Sequence, residues 1–203
     1  MLKSFMNPWR FDPLRQESAS MRTESTTFIL PSDYTCHGTT ARDYLPYLIR
    51  LVRATDAHGV YAVEKSCFHD PYPSRFLDAL IKTEGNRFFV AVENEKVIGY
   101  TVATASGIDG HLVSVAVDPR CRLKGIGTAL LSAVMRGLVE EGVEEIHLEV
   151  RKGNRAAMSF YERIGFRVSS EISHYYSDGE DAWVLRRRNE SPPRTALAEG
   201  ELR

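Results

Sequence analysis

The stretch Val115-Ala116-Val117-Asp118-Pro119-Arg120-Cys121-Arg122-Leu123-Lys124-Gly125-Ile126-Gly127-Thr128 decides the reading of this chain. Residues 113–117 make a short apolar strand, and a loop with two glycines follows it. Gly125 and Gly127 let the backbone turn tightly and come close to a ligand. Beyond them Ile126, Leu130, Val134 and Leu138 recur every four residues, the spacing of one helical face, and Gly142 is placed to end that helix. A strand that enters a helix through such a loop leaves the first-turn N–H groups pointing outward, at the positive end of the helix dipole. This is a site for a pyrophosphate, and Arg122 and Lys124 add positive charge beside it.

Upstream, residues 47–54 read as a first strand, and Thr55 is placed to cap a helix running to about residue 68. Phe76, Leu77 and Leu80 stand at helical spacing in a second helix over 74–83. Residues 88–92 and 97–103 are strands joined by the hairpin-length turn Glu93-Asn94-Glu95-Lys96. Downstream, residues 145–150 alternate, with Ile146, Leu148 and Val150 on one face and His147 and Glu149 on the other. Asn154 is a good N-cap for a helix to Ile164, closed by Gly165. Residues 166–173 and 181–187 flank Ser177-Asp178-Gly179-Glu180, where Asp-Gly is a strong hairpin signal. The order β-α-α-β-β-β-α-β-α-β-β predicts an α/β (α+β) domain over 47–188. Its sheet is mixed and mostly antiparallel, with one parallel step in the middle.

The 203 residues suggest one such domain plus extensions. Hydrophobic residues make up 43% and charged residues 26%, so a core can form without disulfides or metals. A net charge of -1 gives no global excess that would call for nucleic acid or an anionic membrane. No apolar run approaches the roughly 20 residues that span a bilayer, and Lys3, Arg10, Asp12 and Arg15 break any signal-peptide core. Cys36, Cys67 and Cys121 are odd in number and lack metal-type spacing, which fits a reducing cytoplasm. Residues 1–46 are rich in Ser, Thr and Pro with cancelling charges, and read as a partly disordered extension. Within it Trp9, Phe11 and Phe28-Ile29-Leu30 argue for some packing, and Met21 offers an alternative start. Residues 189–203 read as a short frayed tail.

The glycine loop fits few nucleotide-site patterns. A P-loop needs Gly-x-x-x-x-Gly-Lys-Ser/Thr, which is absent, and a Rossmann fingerprint needs a third glycine where Leu130 stands. A tight strand–helix turn without any ligand would use the same glycines. What remains is Arg122-x-x-Gly125-x-Gly127 after a strand, with an amphipathic helix behind it and Asn154 downstream. This pattern resembles the coenzyme A pyrophosphate loop of the GNAT superfamily. The resemblance implies a GNAT fold with acetyl-CoA as cosubstrate. It implies that the backbone of Val115, Ala116 and Val117 holds the pantetheine arm. It further implies that Leu123, Lys124, Gly125, Ile126, Gly127 and Thr128 wrap the pyrophosphate with Arg122, and that Asn154 contacts the cofactor.

Acetyl transfer from a thioester to an amine needs a neutral amine, donors for the developing oxyanion and a proton for the leaving thiolate. An α-amine has a pKa of about 7.7–8.0 and lysine about 10.4, so deprotonating lysine costs roughly 3–4 kcal/mol more. Glu149, on the non-core face of its strand, is the candidate base, although a solvated strand carboxylate would look the same. Tyr161 is the candidate acid, although a half-buried packing tyrosine would also sit one turn before a helix end.

The run Leu148-Glu149-Val150-Arg151-x-x-Asn154, followed by Tyr161-Glu162-x-x-Gly165-Phe166, sharpens the resemblance. It is similar to the archaeal protein N-terminal acetyltransferases and the bacterial ribosomal-protein alanine N-acetyltransferases, over about residues 48–187. That branch implies a general base at Glu149 and a general acid at Tyr161, which would also touch the cofactor. It implies Tyr175 and Tyr176 in a hairpin that lines the peptide groove, and Tyr72, in Asp70-Pro71-Tyr72-Pro73, against the first residues of the peptide. His111 matches an archaeal histidine and is either a helper to Glu149 or a surface residue. A His111–Glu149 metal site lacks further ligands, so no metal is expected. Cys67 and Cys121 have no base spaced to activate them, so direct transfer is expected.

The implied activity is acetylation of protein N-termini, nascent or ribosomal ones included, by a cytoplasmic monomer or weak dimer. Acetylation of a small amine, and a non-catalytic coenzyme A-binding subunit, are the competing functions.

Overall fold

The computed structural model describes residues 46–83 and 85–189. The expected extension lies outside the described residues but for Pro46, and so does the tail beyond Asn189. The elements are β1 (Leu48–Leu51), a 3-10 turn (Ala54–Asp56), α1 (Ala57–Cys67), α2 (Ser74–Lys82), β2 (Arg87–Glu93), β3 (Lys96–Ser106) and β4 (Asp109–Val117). A second 3-10 turn (Pro119–Cys121), α3 (Ile126–Glu140), β5 (Glu145–Arg151), α4 (Arg155–Arg163), β6 (Arg167–Ile172) and β7 (Ala182–Arg188) complete them. Among the described residues, seven strands in a mixed sheet and four α-helices make this an α/β fold. The chain divides into two compact units. One runs to Thr104 and resumes over Leu112–Gly137; the other takes Ala105–His111 and the chain from Leu138 onward.

In the first unit β1 pairs antiparallel with β2, and β2 with β3. Asn94 and Glu95 make the tight β2–β3 turn at φ 48° and 62°, the left-handed pair that a two-residue hairpin needs. The core joins Val60 and Val63 of α1, Leu77 and Leu80 of α2, Phe88 and Val90 of β2, Tyr100 and Val102 of β3, and Ala116 of β4. The four-residue apolar repeat of α3 is buried as its spacing requires, with Ile126, Leu130, Leu131 and Val134 out of solvent. The helix packs so closely that a Cβ on Gly99 of β3 would lie 3.2 Å from Leu130 Cδ1 and 3.0 Å from the Ala116 carbonyl oxygen. Leu130 is fully buried, so Leu130→Ala should destabilise the protein by about 2–5 kcal/mol, read as a lower urea midpoint with an unchanged slope.

In the second unit β5 runs parallel to the first residues of β4, with Asp109 opposite Glu145, Gly110 opposite Ile146 and His111 opposite His147. This is the parallel step expected from sequence. On its other edge β5 pairs antiparallel with β7, and β7 with β6. The end of α3 closes as Gly142 suggested. Gly142 has φ +81°, its N–H donates to the Val139 carbonyl, and the Val143 N–H donates to that of Leu138. Asn154 caps α4 by accepting the Ala157 N–H at 3.1 Å.

Four expectations change. Thr55 does not cap α1; it lies in the 3-10 turn, where Asp56 accepts the Arg53 N–H at 2.7 Å and the Arg50 guanidinium at 2.6 and 2.8 Å. A buried, ion-paired carboxylate satisfies the chain there better than a hydroxyl. β1 is shorter than residues 47–54. β4 begins at Asp109 rather than 113, because its first three residues pair with β5. Asn189 is buried, not frayed: its side chain donates to the Val143 carbonyl and its backbone N–H to that of Glu144.

Candidate functional site

The glycine loop belongs to the first unit, and its backbone is bent in the manner an anion site needs. Leu123 and Gly125 both take left-handed conformations, at φ 63° and 78°, and alternate with residues that do not. Such alternation turns successive N–H groups to one side. Leu123 keeps its side chain wholly in solvent, so no packing explains its strain. Among the described residues a Cβ on Gly125 would meet nothing nearer than the Tyr47 hydroxyl oxygen at 3.9 Å, so they leave the space beside the loop open. The Gly125 carbonyl accepts the Ala129 N–H, which starts α3 there and leaves the N–H groups of Ile126, Gly127 and Thr128 without partners inside the helix.

The base of the loop is braced. Asp118 accepts the Arg120 N–H and guanidinium at 2.7–3.0 Å, which pulls its carboxyl down to about 2 and keeps it ionised. Arg122 Nε donates to the Val117 carbonyl at 3.1 Å, which also accepts Cys67 Sγ–H at 3.2 Å. Val115, Ala116 and Val117 alternate half-buried, buried and half-buried at the end of β4. Lys124 is exposed. Two left-handed residues, open space and a helix start fit a diphosphate.

The first unit also holds the Tyr72 loop. The Tyr72 N–H donates to Glu64 Oε1 at 2.8 Å, and its ring lies 4.7 Å from that of Phe76. Glu64 is almost fully buried on α1 and takes the Tyr100 hydroxyl on its other oxygen, while Tyr100 reaches Ser114 Oγ at 3.0 Å. Burial raises the Glu64 carboxyl, against the lowering effect of these two donors. This brace escaped the sequence reading. Its signal was a carboxylate inside the apolar stripe Val60-Val63-Glu64-Cys67. Asp70 is exposed on the same loop.

In the second unit His111 Nε2 and Glu149 Oε2 are 2.8 Å apart, with side chains only 16% and 11% exposed. His111 therefore touches the candidate base, as a helper must, and it lies on β4 rather than before the strand. The His147 ring stacks on that of His111, with centroids 4.7 Å apart and planes 9° from parallel. Burial, and then the neighbouring His111 imidazole, lower the His147 pKa and favour its neutral form. Beside the His111–Glu149 pair His147 brings a third donor of metal-ligand type, and the donor atoms of the three side chains all lie within 4.8 Å of one another.

Tyr161 is half-buried between Phe160 and Phe166, with edge-on rings at 5.3 and 5.7 Å. Burial pushes its hydroxyl up to about 12, so it holds its proton at neutral pH. Asn154 uses its Oδ1 as the α4 cap.

The β6–β7 hairpin carries Tyr175 and Tyr176, whose rings meet edge-on at 5.0 Å. Arg151 at the end of β5 clasps it. Its guanidinium binds Asp178 and Glu180, each at 2.8 Å, and lies 3.9 Å from the centre of the Tyr176 ring. Gly153 N–H donates to Glu180 Oε1, and Asp181 accepts the His174 N–H. Arg151 stood in the quoted motif, but its partners 27 and 29 residues away could not be read from sequence.

The sequence model of the acetyltransferase (GNAT) family matches residues 57–166, more than half of the chain. This chain belongs to the GNAT family. An N-alpha-acetyltransferase of Sulfurisphaera tokodaii is 36% identical over 152 residues, which cover 68% of this chain and 91% of that protein. The [ribosomal protein bS18]-alanine N-acetyltransferase of Escherichia coli K12 is 30% identical over 142 residues, covering 68% and 94%. Among solved structures, Ard1 from Thermoplasma volcanium aligns with a TM-score of 0.68 at 28% identity, over 70% of this chain and 97% of that one. This GNAT protein is an N-acetyltransferase with acetyl-CoA as cosubstrate. No described helix is long and apolar enough to cross a membrane.

Proposed function

We propose that this GNAT enzyme acetylates the α-amino group at the N-terminus of proteins, in the cytoplasm. The observation that carries the reading is the clasped β6–β7 hairpin. A small amine needs only a pocket, whereas an extended peptide needs a fixed edge of polar aromatic groups along its backbone. Tyr175 and Tyr176 offer such groups, and Arg151 holds Tyr176 by stacking and the hairpin by two ion pairs. Relatives named N-alpha-acetyltransferase and ribosomal-protein alanine N-acetyltransferase agree with it.

In this reading the backbone N–H groups over residues 122–128 hold the diphosphate of acetyl-CoA, with Arg122 and Lys124 adding charge, and acetyl-CoA supplies the acetyl thioester. Val115, Ala116 and Val117 offer strand edges to its pantetheine arm, and Asn154 contacts it. Glu149 accepts the proton that the attacking amine loses, and His111, bonded to it at 2.8 Å, orients the carboxylate and shares that proton. Tyr161 holds a donor toward the departing sulfur. Tyr72, held by the Glu64 carboxylate, meets the first peptide residues. An α-amine is the substrate such a base can serve, since a lysine amine costs roughly 3–4 kcal/mol more to deprotonate.

The test is a panel of peptides that differ only in residue one, each with a free or a blocked N-terminus and one internal lysine. Free peptides should release coenzyme A thiol, and blocked peptides should release at least about a hundredfold less. Equal turnover of blocked peptides or of polyamines would transfer the assignment to a lysine or small-amine acetyltransferase. Tight acetyl-CoA binding without any thiol release would make the protein a non-catalytic subunit.

A further inference from the structure

We propose that His111, His147 and Glu149 form a binding site for one divalent transition-metal ion of the zinc or cobalt class. The strand register builds the site. His111 and His147 are direct neighbours across the parallel β4–β5 pair, and Glu149 follows His147 by two residues on the same face of β5. Two donors spaced i and i+2 on one strand and a third on the adjacent strand converge on a single point above the sheet.

Their ligand atoms all lie within 4.8 Å of one another. Tetrahedral zinc with bonds of about 2.0–2.1 Å needs donors about 3.4 Å apart, so the widest pair has at most about 1.4 Å to close. Because the two rings are stacked rather than interlocked, rotation about their side-chain torsions supplies that movement. The hydrogen atom now shared by His111 and Glu149 gives way to the ion, and His111 binds through Nε2 with its proton on Nδ1. Two imidazoles and a carboxylate suit zinc, cobalt or nickel and discriminate against magnesium, which takes oxygen ligands. Water supplies the fourth ligand, since all three side chains retain some solvent exposure.

The consequence for catalysis rests on the role proposed above for Glu149. An ion that binds the Glu149 oxygen removes the lone pair that accepts the amine's proton, so metal binding and acetyl transfer exclude each other and the ion inhibits.

The experiment uses the full chain with any affinity tag removed, after treatment with chelator. Zn²⁺ and Co²⁺ are titrated by calorimetry, and Co²⁺ also by the visible bands of its tetrahedral complex. The native protein should bind one ion, and Mg²⁺ at the same concentration should give no heat. His147→Phe keeps a planar ring against His111 but removes a donor, and should raise Kd at least tenfold and abolish the Co²⁺ bands. Should that variant fail to fold, His111→Phe carries the same comparison. Absence of one-to-one binding in the native protein, or equal affinity in the folded variant, overturns the site. Acetylation is followed in parallel with Zn²⁺ and with chelator. One-to-one binding that leaves turnover untouched keeps the metal site and removes Glu149 from the role of base.

Discussion

Glu149→Gln should lower kcat/KM for a free-amine peptide by about 10²–10⁴, while the affinity for acetyl-CoA and the melting temperature stay close to native. The substitution is nearly isosteric. Glutamine keeps an oxygen that accepts from His111 Nε2, so the 2.8 Å contact survives, and residue 149 keeps its place opposite Val184 in the β5–β7 ladder. What glutamine cannot do is accept a proton. The amine must then lose its proton to bulk water or to His111 alone, which corresponds to a barrier about 2.7–5.4 kcal/mol higher. The loss should fall on kcat, because the missing interaction develops only as the proton moves. Initial rates from thiol release, with calorimetry of acetyl-CoA binding as the control, give the measurement. A loss below threefold would take Glu149 out of the mechanism and leave its contact with His111 a structural one.

What could be read from sequence was local. The apolar repeat Ile126-Leu130-Val134-Leu138 announced a buried helix because a 3.6-residue period needs no knowledge of the partner. The alternation of residues 145–150 announced β5, and placed His147 and Glu149 together on its less buried face. The turn at Asn94-Glu95 and the cap at Asn154 followed from the chemistry of single residues. What escaped depends on pairing at long range. Asp109, Gly110 and His111 carry little strand signal, and in the fold they join β4, paired with Glu145, Ile146 and His147 of β5. That misplacement hid the stack of His111 on His147. Glu64 reads as a helical carboxylate until the Tyr72 N–H and the Tyr100 hydroxyl bury it, eight and 36 residues away. The Arg151 clasp is likewise a product of the folded hairpin. Burial of a charge is a property of the partners that surround it, and the chain order does not name them.

Gly125→Arg should abolish measurable acetyl-CoA binding, raising Kd by at least about a hundredfold, while lowering the melting temperature by only a few degrees. Gly125 sits at φ +78°, where an L side chain adds roughly 1–2 kcal/mol of strain. Nothing else among the described residues resists the change, since the first Cβ contact there, at 3.9 Å, is with the Tyr47 hydroxyl. Leu123 already shows that this loop tolerates a left-handed residue with a long side chain. Folding therefore survives, and the effect is confined to the space beside the loop. There the arginine stem fills the volume that the proposed diphosphate site needs beside the N–H groups that open α3, and close approach of backbone to phosphate is what a glycine permits. Gly125→Ala separates strain from obstruction: it carries the same φ penalty with one methyl group, and should weaken binding by less than about tenfold. Calorimetric titration of both variants beside the native chain, with thermal melts of each, makes the comparison. Native affinity in Gly125→Arg would mean that the diphosphate is held elsewhere and that the bend at Leu123 and Gly125 serves only to turn the chain into its helix.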